Sequence, residues 1–255
     1  MTVPYLETPL PRVFAHRGLA LDVPENTLLA FVKALALGAH YLETDVHATL
    51  DGVAVISHDA DLVRLAGLRK KVGELTLAQL KEIDLGEGQT FSSLAEALEA
   101  FPDARFNIDI KSTAAVRPTI AAILEARAVH RVLIGSFGGR RLRDTLKGLP
   151  GAARGASPAR VLLVVIAAKL GITPLLRGAV RHIDALQVPE RFGGIRIATR
   201  GIVRRLHDVG IEMHVWTVND ERIMRRLLDI GVDGFITDRS DLALRILEER
   251  SSRSA

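Results

Sequence analysis

The chain has 255 residues, 48% of them hydrophobic and 25% charged, with a formal net charge of +4. That balance supports a sizeable globular core and excludes a disordered or collagen-like chain. Having no cysteine, it can form no disulfide, thiol nucleophile or Cys-ligated zinc centre, and two tyrosines and one tryptophan offer little stacking surface for single-stranded nucleic acid.

Met1 to Pro11 has neither a basic head nor an apolar stretch, so no secretory signal is expected and a cytoplasmic protein is the default expectation. A first strand is predicted near Val13–His16, running into Arg17-Gly18. Pro24-Glu25-Asn26-Thr27 reads as a helix start, with Asn26 or Thr27 capping an apolar helix that runs to about Gly38. The next strand, near Leu42–Val46, puts Glu43 and Asp45 on one face, because alternate side chains of a strand point the same way. Two carboxylates held that close repel each other, and a hard divalent cation would relieve the repulsion. A solvated strand end is the plainer reading of that pair taken alone.

Asp51-Gly52 reads as a turn that folds the chain back, so that His58, ending the apolar run Val53–Ser57, approaches Glu43 and Asp45. His47 follows Asp45 at strand spacing and is read as a polar turn residue. A helix is expected over Thr76–Ile83. The strand Arg105–Ile110 alternates again, which sets Asn107, Asp109 and Lys111 on one face. Histidine suits proton transfer near neutral pH, and Arg17 offers a fixed fork for phosphate oxygens. Together these residues suit metal-assisted chemistry on an anionic substrate.

Further strands are expected near Val132–Ser136, Ala153–Ala156, Ala185–Val188, Glu212–Thr217 and Gly234–Thr237. The fifth is short and interrupted by Gly155 and Pro158. The run Val161–Ala168 is strongly apolar, but Lys169 ends it well short of a membrane span. It reads as a buried segment or as an apolar wall that meets lipid chains. Arginines in later helices read as solvated outer faces. Ser136, Gln187, Trp216, Asn219 and Asp238 fall late on their strands, where Trp216 would offer an apolar wall and Gln187 a hydrogen bond.

Eight strands alternating with helices predict an α/β fold, a (β/α)8 barrel spanning residues 1–255 as one domain. A doubly wound sheet is the alternative, although no G-x-G-x-x-G follows the first strand. In a barrel the C-terminal strand ends form the active-site face, which would gather His16, Glu43, Asp45, Asp109 and Lys111 at one mouth.

Phe14-Ala15-His16-Arg17-Gly18, Pro24-Glu25-Asn26-Thr27, Glu43-Thr44-Asp45, Asp51-Gly52, His58-Asp59, Asn107-Ile108-Asp109-Ile110-Lys111, Val215-Trp216-Thr217-Val218-Asn219 and Gly234-Phe235-Ile236-Thr237-Asp238 occur in order. In that order and wording the chain resembles the glycerophosphodiester phosphodiesterase family. The resemblance implies a TIM barrel and metal-dependent hydrolysis of glycerophosphodiesters to glycerol 3-phosphate and an alcohol. Carried over position by position, His16 and His58 match the acid-base pair, and Glu43 and Asp45 match metal ligands. Arg17 and Lys111 match phosphate-binding groups, with Trp216 beside them as a substrate-binding wall. Asp109 stands as the third ligand, where the family usually has Glu.

One divalent cation is implied, Mg²⁺ or Ca²⁺, with Mn²⁺ as an alternative. The expected partner is a small-molecule diester, with no nucleic acid and no transmembrane segment but with peripheral lipid contact admitted; oligomeric state is not legible. The stretch between the second and third barrel strands is a short insertion, which predicts a small lid and an open mouth. In that stretch Leu62-Val63-Arg64-Leu65-Ala66 replaces the usual acid-threonine wording. Two other functions compete: lysophospholipase D-like hydrolysis, and a non-catalytic barrel that binds a phosphodiester or a metal.

Overall fold

The computed structural model describes residues 3–254. After a short 3-10 turn over Pro4–Leu6, β1 (Arg12–His16) leads to α1 (Leu28–Ala36) and β2 (Tyr41–Ala48). The chain then turns at Asp51-Gly52 into β3 (Ala54–Ile56), which pairs antiparallel with β2. A compact insertion follows, in which the ribbon of β4 (Asp61–Leu62) and β5 (Leu68–Lys71) encloses α2 (Val63–Ala66) and is followed by α3 (Leu77–Lys81). The regular alternation resumes with α4 (Leu94–Ala100), β6 (Arg105–Ile110), α5 (Val116–Glu125), β7 (Val132–Gly135), α6 (Gly139–Gly148) and β8 (Ala153–Arg154). Two helices, α7 (Pro158–Leu170) and α8 (Thr173–Val180), precede β9 (Ala185–Pro189) and a hairpin of β10 (Arg191–Phe192) and β11 (Ile195–Arg196). The chain closes with α9 (Arg200–His207), β12 (Glu212–Trp216), α10 (Glu221–Asp229), β13 (Gly234–Thr237) and α11 (Ser240–Ser254).

The eight predicted strands lie side by side and parallel in the order β8-β7-β6-β2-β1-β13-β12-β9. β8 and β9 share no ladder, so the barrel is nearly closed rather than complete. Asp184 spans the seam. Its amide donates to the Arg154 carbonyl at 2.8 Å, and its carboxylate accepts from the Arg154 amide at 2.8 Å and guanidinium at 2.8 and 3.0 Å. β8 is shorter than the expected Ala153–Ala156. A side chain at Gly155 would come within 2.8 Å of the Ile134 carbonyl, and Pro158 already begins α7.

Outward-facing Leu42, Val46, Phe106, Ile108 and Ile110 pack against the helices on one side, and Leu186, Val188, Met213, Val215 and Phe235 do so on the other. Inward-facing Phe14, Tyr41, Leu133 and Ile236 fill the barrel with Tyr5. That layer is tight. A Cβ on Gly234 would lie 2.9 Å from the Arg12 carbonyl and 3.0 Å from the Phe14 ring. Below it, buried Arg12 donates to the Leu6 carbonyl and to the Tyr41 hydroxyl, and pairs with Glu212 at 3.0 Å. Glu212 also meets the fully buried His214 at 3.1 Å, so that histidine serves the packing of the barrel floor. With the floor plugged in this way, the open face is the mouth at the C-terminal strand ends.

Candidate active site

The site begins where β1 ends. Strand register sets His16 and Asn107 beside Glu43 and, two residues further along, Asp109 beside Asp45, so the inward residues of three strands meet in two adjacent layers. Past His16 the backbone makes a sharp turn: Arg17 has φ 57° and Gly18 φ 84°. A side chain on Gly18 would lie 2.7 Å from the Ala30 backbone, so only glycine lets this turn close against α1. The turn is pinned to the Pro24–Thr27 loop, where Asn26, itself at φ 57°, donates its amide to the Arg17 carbonyl at 2.9 Å.

Thr27, not Asn26, caps α1, with its hydroxyl oxygen accepting from the Ala30 amide. Asn26 is spent on the site instead. Its side-chain amide donates to Asp45 at 3.2 Å, and its carbonyl accepts from Thr44 at 2.8 Å. Glu25 accepts from Arg17 at 2.9 Å.

Glu43 and Asp45 are both buried, and their environments drive them apart. Burial first, then the neighbouring negative charge of Asp45, pushes the Glu43 carboxyl up to about 8. Burial also acts on Asp45, but Lys111 and Arg17 outweigh it and hold that carboxyl below its ordinary value. Lys111 Nζ lies 2.8 Å from Asp45 and 2.9 Å from Asp109, and Arg17 Nε lies 3.1 Å from Asp45. Burial alone would lower Lys111, yet the same two carboxylates raise it, so it stays charged.

Among the described residues no three His, Asp or Glu side chains close around an ion as they stand. Lys111 sits between two of the expected ligands. The donor chemistry nevertheless fits a hard cation, since the set is all oxygen and the buried Asp109 Oδ1 has no hydrogen-bond partner.

Each of the two histidines is held by an acid. His16 Nδ1 lies 2.6 Å from Asp238 Oδ1, and His58 Nδ1 lies 2.7 Å from Asp59 Oδ1. An ionised carboxylate only accepts, so each Nδ1 carries the hydrogen and each Nε2 is the ring nitrogen left for chemistry. His16 Nε2 stands 3.8 Å from Glu43. Burial would lower His16, but the Glu43 charge and the Asp238 bond prevail and raise it. Asp238 and Asp59 both sit below their ordinary values, as their hydrogen-bonding partners overcome burial. Behind Asp238, Asn219 donates to its second oxygen at 2.6 Å. His47 is a buried β2 residue rather than the expected turn residue, with Nε2 3.3 Å from the His58 carbonyl.

His16, Arg17, Glu43, Asp45, His58, Asp109, Lys111 and Trp216 all line one cavity of about 850 Å³ at the mouth. Every candidate residue is therefore brought together. The cavity has two ends of different character. Opposite the charged cluster, Leu162, Val165, Ile166, Phe137 and Phe192 make an apolar wall, and the Phe137 ring meets Trp216 edge-on at 6.0 Å. Gln187 lines it too, accepting from Asn107 at 3.4 Å.

Sequence reasoning missed the partners that orient these groups. Asp238 and Asn219 carried a late-strand position and a place in the motif runs but no assigned role, and Arg64 only its place in the Leu62–Ala66 departure. Arg64 donates to Asp59 at 2.6 Å and to both Glu25 oxygens at 2.7 and 3.1 Å, linking the two loops that hold His58 and Arg17.

Residues 16–242 match the glycerophosphoryl diester phosphodiesterase family. The chain is 42% identical over 238 residues to a Mycobacterium tuberculosis protein named "Probable glycerophosphodiester phosphodiesterase 2", covering 92% of this chain and 90% of that one. It is 32% identical over 251 residues to a glycerophosphodiester phosphodiesterase of Caldanaerobacter subterraneus, covering 93% and 98%. A solved phosphodiesterase from Oleispira antarctica, in complex with the product sn-glycerol-3-phosphate, superposes with a TM-score of 0.72 at 26% identity, covering 94% and 97%. By family match, close relatives and shared barrel, this chain belongs to the glycerophosphoryl diester phosphodiesterase family and is an enzyme of that class, a phosphoric diester hydrolase.

Proposed function

We propose that the chain hydrolyses glycerophosphodiesters to glycerol 3-phosphate and an alcohol by acid-base catalysis with His16 and His58, assisted by one divalent cation. The observation that carries this reading is the histidine pair: two imidazoles in one cavity, each with Nδ1 tied to an acid so that Nε2 is the nitrogen turned to proton transfer. Binding alone needs no such couple, which weighs against a non-catalytic barrel.

One Nε2 takes a proton from the attacking oxygen, which belongs to water or to the substrate's own neighbouring hydroxyl. The other returns a proton to the departing alkoxide. Attack by the internal hydroxyl passes through a cyclic phosphate, which water then opens with the roles reversed. Arg17 and Lys111 hold the phosphoryl oxygens, and both already lie at the charged end of the cavity. Asn26 and Asn219 keep Asp45 and Asp238 in place.

Glu43, Asp45 and Asp109 would hold the cation, Mg²⁺ or Ca²⁺, with Mn²⁺ as an alternative. When bound, it polarises a phosphoryl oxygen as a Lewis acid. Asp109 is one methylene shorter than the family's usual Glu, and Lys111 pairs with both Asp45 and Asp109, at 2.8 and 2.9 Å.

The apolar wall favours a second reading, in which the leaving alcohol or the glycerol carries an acyl chain and the reaction is of the lysophospholipase D kind. Assays of glycerol 3-phosphate release from a panel of glycerophosphodiesters, and of acylated glycerol phosphate release from lysophospholipids, after chelation and then with each cation restored, separate the two. Metal-dependent glycerol 3-phosphate formation is expected, with a loss of about 10²–10⁴-fold in turnover for His16→Ala and His58→Ala. Near-normal turnover of both variants with saturating cation would end the acid-base reading.

A further inference from the structure

Apart from Arg160 and Lys169, α7 is built of apolar residues. Val164, Val165, Ala167 and Ala168 are buried, while Leu162, Leu163, Ile166 and Leu170 are 58%, 38%, 43% and 65% exposed. Positions 162, 163, 166 and 170 fall on one helical face, so the exposed residues form a continuous stripe. A helix with this pattern belongs in a core or against a membrane, and this one lies at the rim of the mouth.

The patch does not stop at α7. Ile172 and Leu175 are exposed where α8 begins, Phe192 and Ile195 at the tip of the β10–β11 hairpin, and Phe137 after β7. Nine of the seventeen exposed large hydrophobic side chains among the described residues belong to this set. Such a concentration exceeds the scattered exposure of an ordinary surface.

Charge then decides what the patch fits. Residues 155–196 contain six basic side chains and two acidic ones, Asp184 and Glu190. Asp184 is committed to Arg154. Glu190 faces Arg191, Arg196 and Arg226 at 3.8, 3.6 and 2.6 Å, so one carboxylate stands against three guanidinium groups. Lys169 stands on the exposed stripe itself. An apolar stripe rimmed by charge of one sign complements acyl chains beneath anionic headgroups, whereas protein partners are met by rims of mixed polarity.

We propose that α7 and the β10–β11 hairpin form a docking face for an anionic lipid surface, which seats the mouth of the barrel against the bilayer. Adsorption needs no turnover, so this face stands or falls apart from the hydrolytic reading.

The test is cosedimentation of the full chain with phosphatidylcholine vesicles, with and without phosphatidylglycerol, at low and high salt. Binding to the phosphatidylglycerol-containing vesicles is expected, weakening as salt rises. Leu163 and Leu170 lie outside the cavity lining. The pair Leu163→Asp with Leu170→Asp should lower vesicle partitioning at least about tenfold, while leaving melting and turnover of glycerophosphocholine unchanged. Arg191→Gln or Arg196→Gln should each lower it about fivefold. The proposal is overturned if the unmodified chain stays in the supernatant with anionic vesicles at low salt, or if the Asp pair binds them equally well. It is also overturned if sedimentation shows instead a dimer that the Asp pair disperses.

Discussion

Arg64 lies outside the cavity lining, yet its guanidinium joins Asp59, which holds His58, to Glu25, which holds Arg17. It is a positioning residue, and its loss should act on geometry more than on binding. Arg64→Ala is expected to lower kcat about tenfold to a hundredfold with a smaller change in KM, and Arg64→Lys should recover part of it. Equal kcat in all three proteins would remove Arg64 from the account. The same contacts carry a pH signature. Burial would raise Glu25, but Arg64 and Arg17 outweigh it and hold the carboxyl below its ordinary 4.5. A depressed folded value stabilises the fold above 4.5, and that stability is lost as pH falls through the depressed value. The melting gap between the unmodified chain and Arg64→Ala should therefore be widest near neutrality and narrow in acid. A gap constant with pH would show that the contact adds no linked stability.

At the scale of single elements, the helix start at Pro24–Thr27 illustrates what a sequence offers and withholds. Both Asn26 and Thr27 are good caps, and propensity does not choose between them. Tertiary contact chooses, because Asp45 on a neighbouring strand claims the Asn26 side chain. Thr27 then caps alone, accepting from Ala30 and donating to the Pro24 carbonyl at 2.7 Å. Thr27→Ala should cost ~1 kcal/mol in unfolding free energy, read from the shift of the denaturant midpoint, with Thr27→Ser nearly neutral. A shift indistinguishable from zero would mean that α1 is held by packing alone. α7 teaches the complementary lesson. Its apolar run was visible, but a run without periodicity cannot say which side meets the core. The packing of α8 and α9 against it decides that.

For the whole molecule, the unpaired edges β8 and β9 make the seam the place where barrel closure depends on side chains. Asp184 supplies both the backbone and the side-chain bonds across it. Asp184→Ala leaves the Arg154 amide and guanidinium without their acceptor and should cost ~1–3 kcal/mol in unfolding free energy. Hydrogen exchange should speed first at the amides of residues 154 and 155. Unchanged protection there would show that the flanking helices hold the seam closed.

The eight strands and the charged cluster could be read from the chain itself, because strand alternation and the run of short motifs are local properties that survive without coordinates. Glu43 and Asp45 share a face by geometry alone, as do Asn107, Asp109 and Lys111. The sequence thus determined the barrel, the family and the side chains that meet at the mouth. Tertiary structure alone decided that Asp238 holds His16, that Lys111 reaches Asp45 on the neighbouring strand, and that Arg64 ties the His58 loop to Glu25. It also decided that half of α7 stays exposed beside the site. These are contacts between residues as far apart as His16 and Asp238, and only the closure of the barrel brings such partners within hydrogen-bonding distance.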